Sequence, residues 1–201
     1  MVSTLPPGSR CRIGVRTHPG PEYGGWVTSL RTAHTSDLTP SDLVDTRRLL
    51  DAAFEGDFSD QAWEHGLGGI HALVRDDWGD LVAHGSVVQR RILHNGHSSR
   101  VGYVEAVAVR PDRQRQGLGG QVMDALERII DKAYDLGALS ASDEGQRLYI
   151  ARGWQEWKGA VGTLGPDGVL LLPDEDPPLL WGANLDPTYD MLIDWRDGDV
   201  Y

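Results

Sequence analysis

Val101-Gly102-Tyr103-Val104-Glu105-Ala106-Val107-Ala108-Val109, followed after a short polar link by Gln114-Arg115-Gln116-Gly117-Leu118-Gly119, decides how this chain is read. The first nine residues are rich in β-branched side chains and almost unbroken in apolarity. That is the pattern of a strand buried on both faces at the centre of a sheet. Glu105 is the one charge in it. A carboxylate is costly there unless the strand is interrupted or the group is wet and in use. A glycine-rich turn between such a strand and a helix points successive N–H groups into one concavity, and the helix adds the positive end of its dipole. Gly117 and Gly119 lack the Cβ that would keep an anion off the backbone, and Arg113 and Arg115 add positive charge. The Gly-Lys-Ser/Thr element of a P-loop and the G-x-G-x-x-G of a dinucleotide fold are both missing. The turn therefore suits a pyrophosphate held without lysine or metal. A plain strand-to-helix connection has the same local pattern, and Q-x-x-G-x-G alone does not separate the two.

Working outward, residues 26–34 read as a first strand. Thr39-Pro40-Ser41-Asp42 starts a helix toward Phe54, with Thr39 as cap and Pro40 at the first helical position. Ser59 caps a second helix carrying Trp63. Strands are expected over residues 70–75, 81–93 and 101–109, the last two joined by the hairpin pair Asn95-Gly96. Val122, Leu126, Ile129, Ile130 and Ala133 form the apolar stripe of a helix running to about Leu136. A short strand over residues 138–141 follows, then a helix capped by Ser142 and stopped by Gly153, and a strand begun over residues 154–157. Residues 165–178 read as turn-rich and acidic, and residues 189–195 as a last strand. Strands and helices in this order predict an α+β domain around a mixed sheet over residues 26–201, with residues 1–25 as a flexible extension.

The chain has 201 residues and a net charge of −11, which disfavours nucleic-acid phosphates and suits a cationic ligand. Residues 174–201 hold eight acidic side chains and one basic one, Arg196. No apolar run spans a bilayer, and the N-terminus does not read as a secretory signal, so a cytoplasmic protein is expected. Cys11 is the only cysteine, which excludes a disulfide within one chain. His65, His71 and His84 fit no common zinc spacing, and no metal is expected.

Several segments, in order and at compatible spacing, make a sharper pattern than the glycine turn. They are Glu55-Gly56-Asp57-Phe58-Ser59, Trp63-Glu64-His65-Gly66-Leu67-Gly68-Gly69-Ile70-His71, Gln89-Arg90, residues 102–109, Leu136-Gly137-Ala138-Leu139-Ser140-Ala141-Ser142, Leu148-Tyr149, Gly153-Trp154 and Asp194-Trp195-Arg196-Asp197-Gly198-Asp199. Over about residues 30–201 the chain resembles the aminoglycoside 2'-N-acetyltransferases, a branch of the GNAT superfamily. The resemblance implies the GNAT acyl-CoA N-acyltransferase fold and acetyl-CoA as donor. It implies that Val107, Ala108 and Val109 meet the pantetheine arm. Gln114, Arg115, Gln116, Gly117, Leu118 and Gly119 would hold the pyrophosphate.

It further implies Glu105 as a water-relayed base, Tyr149 as the acid that protonates the leaving thiolate, and the Val107 backbone as a polarising group at the thioester. Asp57, Glu105, Ala106, Ser140, Asp174, Glu175, Asp199 and Tyr201, with its terminal carboxylate, would receive the aminoglycoside, whose ammonium groups pair with carboxylates. A homodimer is implied as well. The sequence departs from the family in its long segment before Trp26, in Tyr201 where a tryptophan is usual, and in its residues 173–178. Two alternatives share these features: acetylation of another polycationic or cell-wall amino-sugar acceptor, and a non-catalytic aminoglycoside-binding protein. Glu105 together with Tyr149 speaks against the second.

Overall fold

One long hairpin organises the sheet. A computed structural model describes residues 28–198, 200 and 201. In it, β3 (Leu81–His94) and β4 (His97–Val109) pair antiparallel, closed by Asn95 (φ 47°) and Gly96 (φ 74°). Two consecutive left-handed residues give the turn whose twist matches that of the flanking strands. The length of β3 lets its far edge carry two neighbours: β2 (Ile70–Arg75) along the first part and β10 (Met191–Asp194) at the end. Outside β2 lies β1 (Ser29–His34), and beyond β10 lie β7 (Val161–Gly165), parallel to it, and β8 (Gly168–Leu171). On its other edge β4 meets β5 (Leu136–Leu139) in parallel. Then come β9 (Leu179–Trp181) and β6 (Gln155–Glu156). The ten strands form one mixed sheet.

Among the described residues four α-helices accompany it: α1 (Pro40–Ala53), α2 (Asp60–Gly66), α3 (Leu118–Ala133) and α4 (Asp143–Arg152). The order is the α+β arrangement that the sequence predicts. Thr39 Oγ1 accepts from the Asp42 N–H while the Asp42 carboxylate accepts from the Thr39 N–H, a reciprocal cap that starts α1. Ser59 and Ser142 accept from the third residue beyond them and start α2 and α4. Gly153, at φ 102°, ends α4.

The differences lie where pairing overrides local sequence. The helix expected to reach Leu136 stops at Ala133, and the strand expected from Ala138 starts two residues early, because Val101, Gly102 and Tyr103 of β4 recruit Leu136, Gly137 and Ala138. The turn-rich residues 165–178 contain β8, and β9 was not expected at all. Both are short and take their partners from distant segments. The described part of β1 begins at Ser29. Trp26, Cys11 and the segment 1–25 lie outside the described residues.

The core beside the hairpin is built by α3, whose Val122, Met123, Leu126 and Ile130 are buried against β2, β3 and β4. The approach is close: a Cβ on Gly85 would lie 2.7 Å from Val122 Cγ1. Helix α4 is tied to α3 through Glu127, a buried carboxylate that accepts from Trp154 Nε1 and from Arg152 Nε, both at 2.8 Å. This tie fixes the helix that carries Tyr149. Glu127→Ala leaves the indole N–H and the guanidinium without that acceptor. It is expected to lower the unfolding free energy by about 2–4 kcal/mol, read by urea denaturation followed through tryptophan fluorescence. An unchanged midpoint would show that the tie contributes nothing.

Candidate active site

Strands β4 and β5 pair only as far as Tyr103 and Ala138. Beyond that point they part, and the gap between them is a cleft. Its walls are Glu105, Ala106 and Val107 from β4, Leu139, Ser140 and Ala141 at the end of β5, Tyr149 from α4, Phe54 from α1 and Tyr201 from the tail. On the β3 side the ladder is broken too. Ser86 faces Glu105 and His84 faces Ala108, so one residue of β3 spans two of β4, Ala106 and Val107. This is a β-bulge, and Ala106 sits in it with φ 52°. A non-glycine residue in that region is uncommon and persists only when its surroundings hold it. The bulge is the interruption that Glu105 requires: β5 has already parted from β4, and the pairing with β3 breaks at the residue after the carboxylate.

Glu105 is ion-paired with Arg196 from the tail after β10. The Arg196 guanidinium lies over the Tyr103 ring, 5.3 Å from its centroid, and Arg90 lies 4.9 Å from the same centroid. Buried Arg90 donates to Asp194 and to the Val200 carbonyl. Tyr201 anchors the end of the chain, donating from its hydroxyl to Gly162 O at 2.7 Å. His65 Nε2 reaches Asp197 O at 2.7 Å. The tail is therefore held by α2, β3, β4 and β7 at once, and Tyr201 lines the cleft. Tyr103 donates to or accepts from Ser140 across the parting strands, at 3.0 Å.

Tyr149 is buried, and burial pushes its phenol up to about 12, so it keeps its proton at neutral pH. Tyr201 is likewise raised to about 12 by burial, with the Glu175 charge adding to the effect. Burial raises Tyr103 above the ordinary phenol range.

The glycine turn follows the same, C-terminal end of β4. Arg115 (φ 59°) and Gly117 (φ 81°) are both left-handed, and residues 114–117 are exposed ahead of α3. The first bond of the helix runs from Gln121 N to Gly117 O, so the N–H groups of Leu118, Gly119 and Gly120 precede the helical ladder. Nothing lies within 4 Å of a Cβ built on Gly117. Arg113, expected to add charge to the turn, is instead buried and bonded to Asp76 at 3.3 Å.

Of the residues singled out in the sequence, Glu105, Ala106, Val107, Ser140, Tyr149 and Tyr201 gather at one cleft. Asp57, Asp174 and Glu175 are exposed and do not line it, and Asp199 lies outside the described residues. Arg90, Tyr103 and Arg196 were not foreseen as site residues. Their signal was available: an arginine within the apolar run around Ile92, and a lone cation in an acidic tail. Among the described residues no three His, Cys, Asp or Glu side chains gather as a metal site, and no helix is long and apolar enough to cross a membrane.

The profile of the acetyltransferase (GNAT) domain matches residues 34–156. An aminoglycoside 2'-N-acetyltransferase of Mycolicibacterium fortuitum is 48% identical over 188 residues, covering 90% of this chain and 96% of that protein. Among solved structures, an acyl-CoA N-acyltransferase from Pseudomonas aeruginosa shares the fold with a TM-score of 0.55 at 17% identity, over 77% of this chain and 99% of that one. A GNAT family acetyltransferase from Brucella melitensis, solved in complex with acetyl-CoA, has a TM-score of 0.50 at 17% identity, over 75% and 90% of the two chains.

Beside the cleft, His71 and His84 are both buried, and burial pushes them down to about 4 and about 3. They fold as neutral rings, whereas the unfolded chain takes up protons near the ordinary value of 6.5. Their contribution is therefore complete above pH 6.5 and is lost as the pH falls toward 4, by up to about 1.4 kcal/mol per pH unit for each ring. Denaturation midpoints at pH 7.5 and pH 5 are expected to drop accordingly, and replacing both rings by asparagine is expected to flatten the dependence. Equal slopes in the two proteins would refute it.

Proposed function

Because the chain belongs to the GNAT acetyltransferase family, in the branch of the aminoglycoside 2'-N-acetyltransferases, we propose that it transfers acetyl from acetyl-CoA to the 2'-amine of an aminoglycoside and so confers resistance. The observation that carries this reading beyond family membership is Arg196. A cation from the chain itself sits on Glu105 inside a cleft bounded by Ser140 and Tyr149. A cleft that accepts a guanidinium against its carboxylate is suited to receive an ammonium group of a polycation.

Acetyl-CoA supplies an activated thioester when bound. The parting of β4 from β5 supports its seating there, with the Val107, Ala108 and Val109 backbone along the pantetheine arm. The exposed turn of Gln114, Arg115, Gln116 and Gly117, with the free N–H groups at Leu118 and Gly119, supports a pyrophosphate site. Gly117 leaves room for the phosphate oxygens to approach the backbone.

The acceptor amine arrives protonated and must lose a proton before it attacks. Glu105 takes that proton through water once the substrate ammonium has displaced Arg196 and freed a carboxylate oxygen. Tyr149 retains its proton at neutral pH and so acts as a donor to the departing thiolate rather than as a base. The Val107 N–H stabilises charge developing on the thioester oxygen. Asp57, Ser140, Asp174, Glu175, Asp199 and the Tyr201 carboxylate would contact the ring hydroxyls and remaining ammonium groups. No metal takes part in this scheme.

We further infer a single catalytic domain over residues 26–201, for which the one continuous sheet speaks, and a homodimer. Val169, Leu170 and Leu171 are at least half exposed on the edge strand β8, and an apolar sheet edge of this kind favours a partner. The donor is a cytoplasmic metabolite, so the enzyme is expected there.

Thiol release from acetyl-CoA across an aminoglycoside panel, with the acetylated position read by NMR, tests the reaction. Turnover is expected only with a 2'-amine, and equal turnover of 2'-hydroxy compounds would overturn the assignment. Glu105→Gln and Tyr149→Phe are each expected to lower kcat by about 10²-fold or more. Calorimetric affinity for the aminoglycoside should be largely retained, and wild-type kcat in both variants would remove the acid–base scheme.

A further inference from the structure

The strained bulge at the cleft is held from behind by side chains that the reaction does not touch. His84 Nδ1 lies 2.9 Å from Ala106 O, the carbonyl of the left-handed residue. His84 Nε2 lies 2.9 Å from His71 Nδ1, and His71 Nε2 lies 2.8 Å from Thr35 Oγ1. Thr35 Oγ1 in turn accepts from the Gly68 N–H at 2.9 Å. Both rings are about 1% exposed, so water does not complete their bonding. The register separates the two histidines across β2 and β3, with His71 opposite Ser86 and His84 opposite Leu73. Only the side chains bring them together.

The polarity of this chain follows from its last member. A carbonyl oxygen can only accept, so His84 carries its hydrogen on Nδ1. A neutral ring then offers the Nε2 lone pair, which requires a hydrogen on His71 Nδ1. His71 Nε2 is left to accept from the Thr35 hydroxyl. The Thr35 hydroxyl has two acceptors within reach, Gly69 O at 3.2 Å and His71 Nε2 at 2.8 Å; the shorter contact takes its hydrogen, and Gly69 O keeps the Thr35 N–H at 3.0 Å. Burial keeps both rings neutral, and the nearby His34 lowers His71 further. Every donor along the line points toward Ala106.

The Ala106–Val107 peptide is planar and trans, so its carbonyl and its N–H point in opposite directions. Anchoring Ala106 O on His84 of β3 turns the Val107 N–H away from β3. Ala106 and Val107 both line the cleft on that side.

We propose that Thr35, His71 and His84 are positioning residues whose one-way hydrogen-bond chain locks the Ala106 peptide and aims the Val107 N–H at the acetyl thioester. The proposal rests on the acetyl-transfer reading for the role of the N–H, but not for the chain itself. It adds no proton transfer: the bonds are fixed in one sense, and the terminal carbonyl has no proton to pass on.

Long-range 1H–15N correlation spectra of the full chain at pH 7 test the chain directly. Both His71 and His84 are expected as neutral rings protonated on Nδ1, and a hydrogen on Nε2 of His84 would overturn the proposal. Steady-state kinetics test its consequence. His84→Leu is expected to lower kcat at least about tenfold while the KM for aminoglycoside changes by no more than about twofold. His84→Asn keeps an N–H donor where Nδ1 stood and is expected to recover most of that loss.

A merely structural role for His84 would show in the thermal midpoint of both variants without rescue by asparagine, and that result would refute the positioning role. If His84→Leu does not fold, Thr35→Val removes the distant donor to His71 instead. It should lower kcat with both KM values within about twofold of wild type, and an unchanged kcat would count against the proposal. A wild type that fails to acetylate any aminoglycoside, yet shows the expected tautomers, would remove the acetyl-transfer reading and leave the peptide anchor standing.

Discussion

Over its last residues β4 loses regular pairing on both sides. After Tyr103 it has no contact with β5 in the ladder, and at Ala106 and Val107 it slips out of register with β3. A strand buried by helices on its faces ordinarily satisfies its backbone through both neighbours, and each unpaired buried group is costly. Here the cost is met locally. The Ala106 carbonyl is taken by His84, and the opposite side opens into the cleft. The acid Glu105, the pocket wall and the backbone groups proposed to meet the acetyl donor all depend on that single interruption.

The rest of the molecule supports the interruption from three directions. Helix α3 packs directly on Gly85, the residue of β3 opposite the bulge, where a side chain would collide with Val122. Helix α4 is tied to α3 through Glu127, so Tyr149 stands at a fixed distance from β4. The C-terminal tail closes the third side. It is anchored by the Tyr201 hydroxyl at Gly162 and by Arg90 at Asp194 and Val200, and it delivers Arg196 to Glu105. An acidic protein thus keeps the one basic side chain of its residues 174–201 against its own half-buried carboxylate. This neutralises the carboxylate in a site that an external cation is proposed to enter.

The legibility of the fold follows the range of the interactions. Helices α1, α2 and α4 could be started from Thr39, Ser59 and Ser142 because a cap is a contact within three residues. The β3–β4 hairpin was visible in Asn95-Gly96 for the same reason. Strands β8 and β9 were not visible, because four and three residues without strong alternation acquire strand structure only when distant segments supply their partners. The early start of β5 has the same cause. At the site, Glu105 stood out as a charge in an apolar strand, and Tyr149 through its family pattern. Arg113 was misleading: its nearness in sequence to the glycine turn suggested a phosphate contact, but Asp76, thirty-seven residues away, holds it.

By itself the sequence determined the mixed sheet with its long central hairpin, the glycine turn opening α3, and the acid in the middle of β4. Each of these is written in composition, period or short-range turn chemistry. Only the tertiary structure decided that β4 parts from both neighbours beside that acid, that His71 and His84 meet behind it, and that Arg196 returns from the tail to pair with it. These are contacts between residues 13 to 91 positions apart. Such contacts depend on strand register and chain path, which no local pattern specifies.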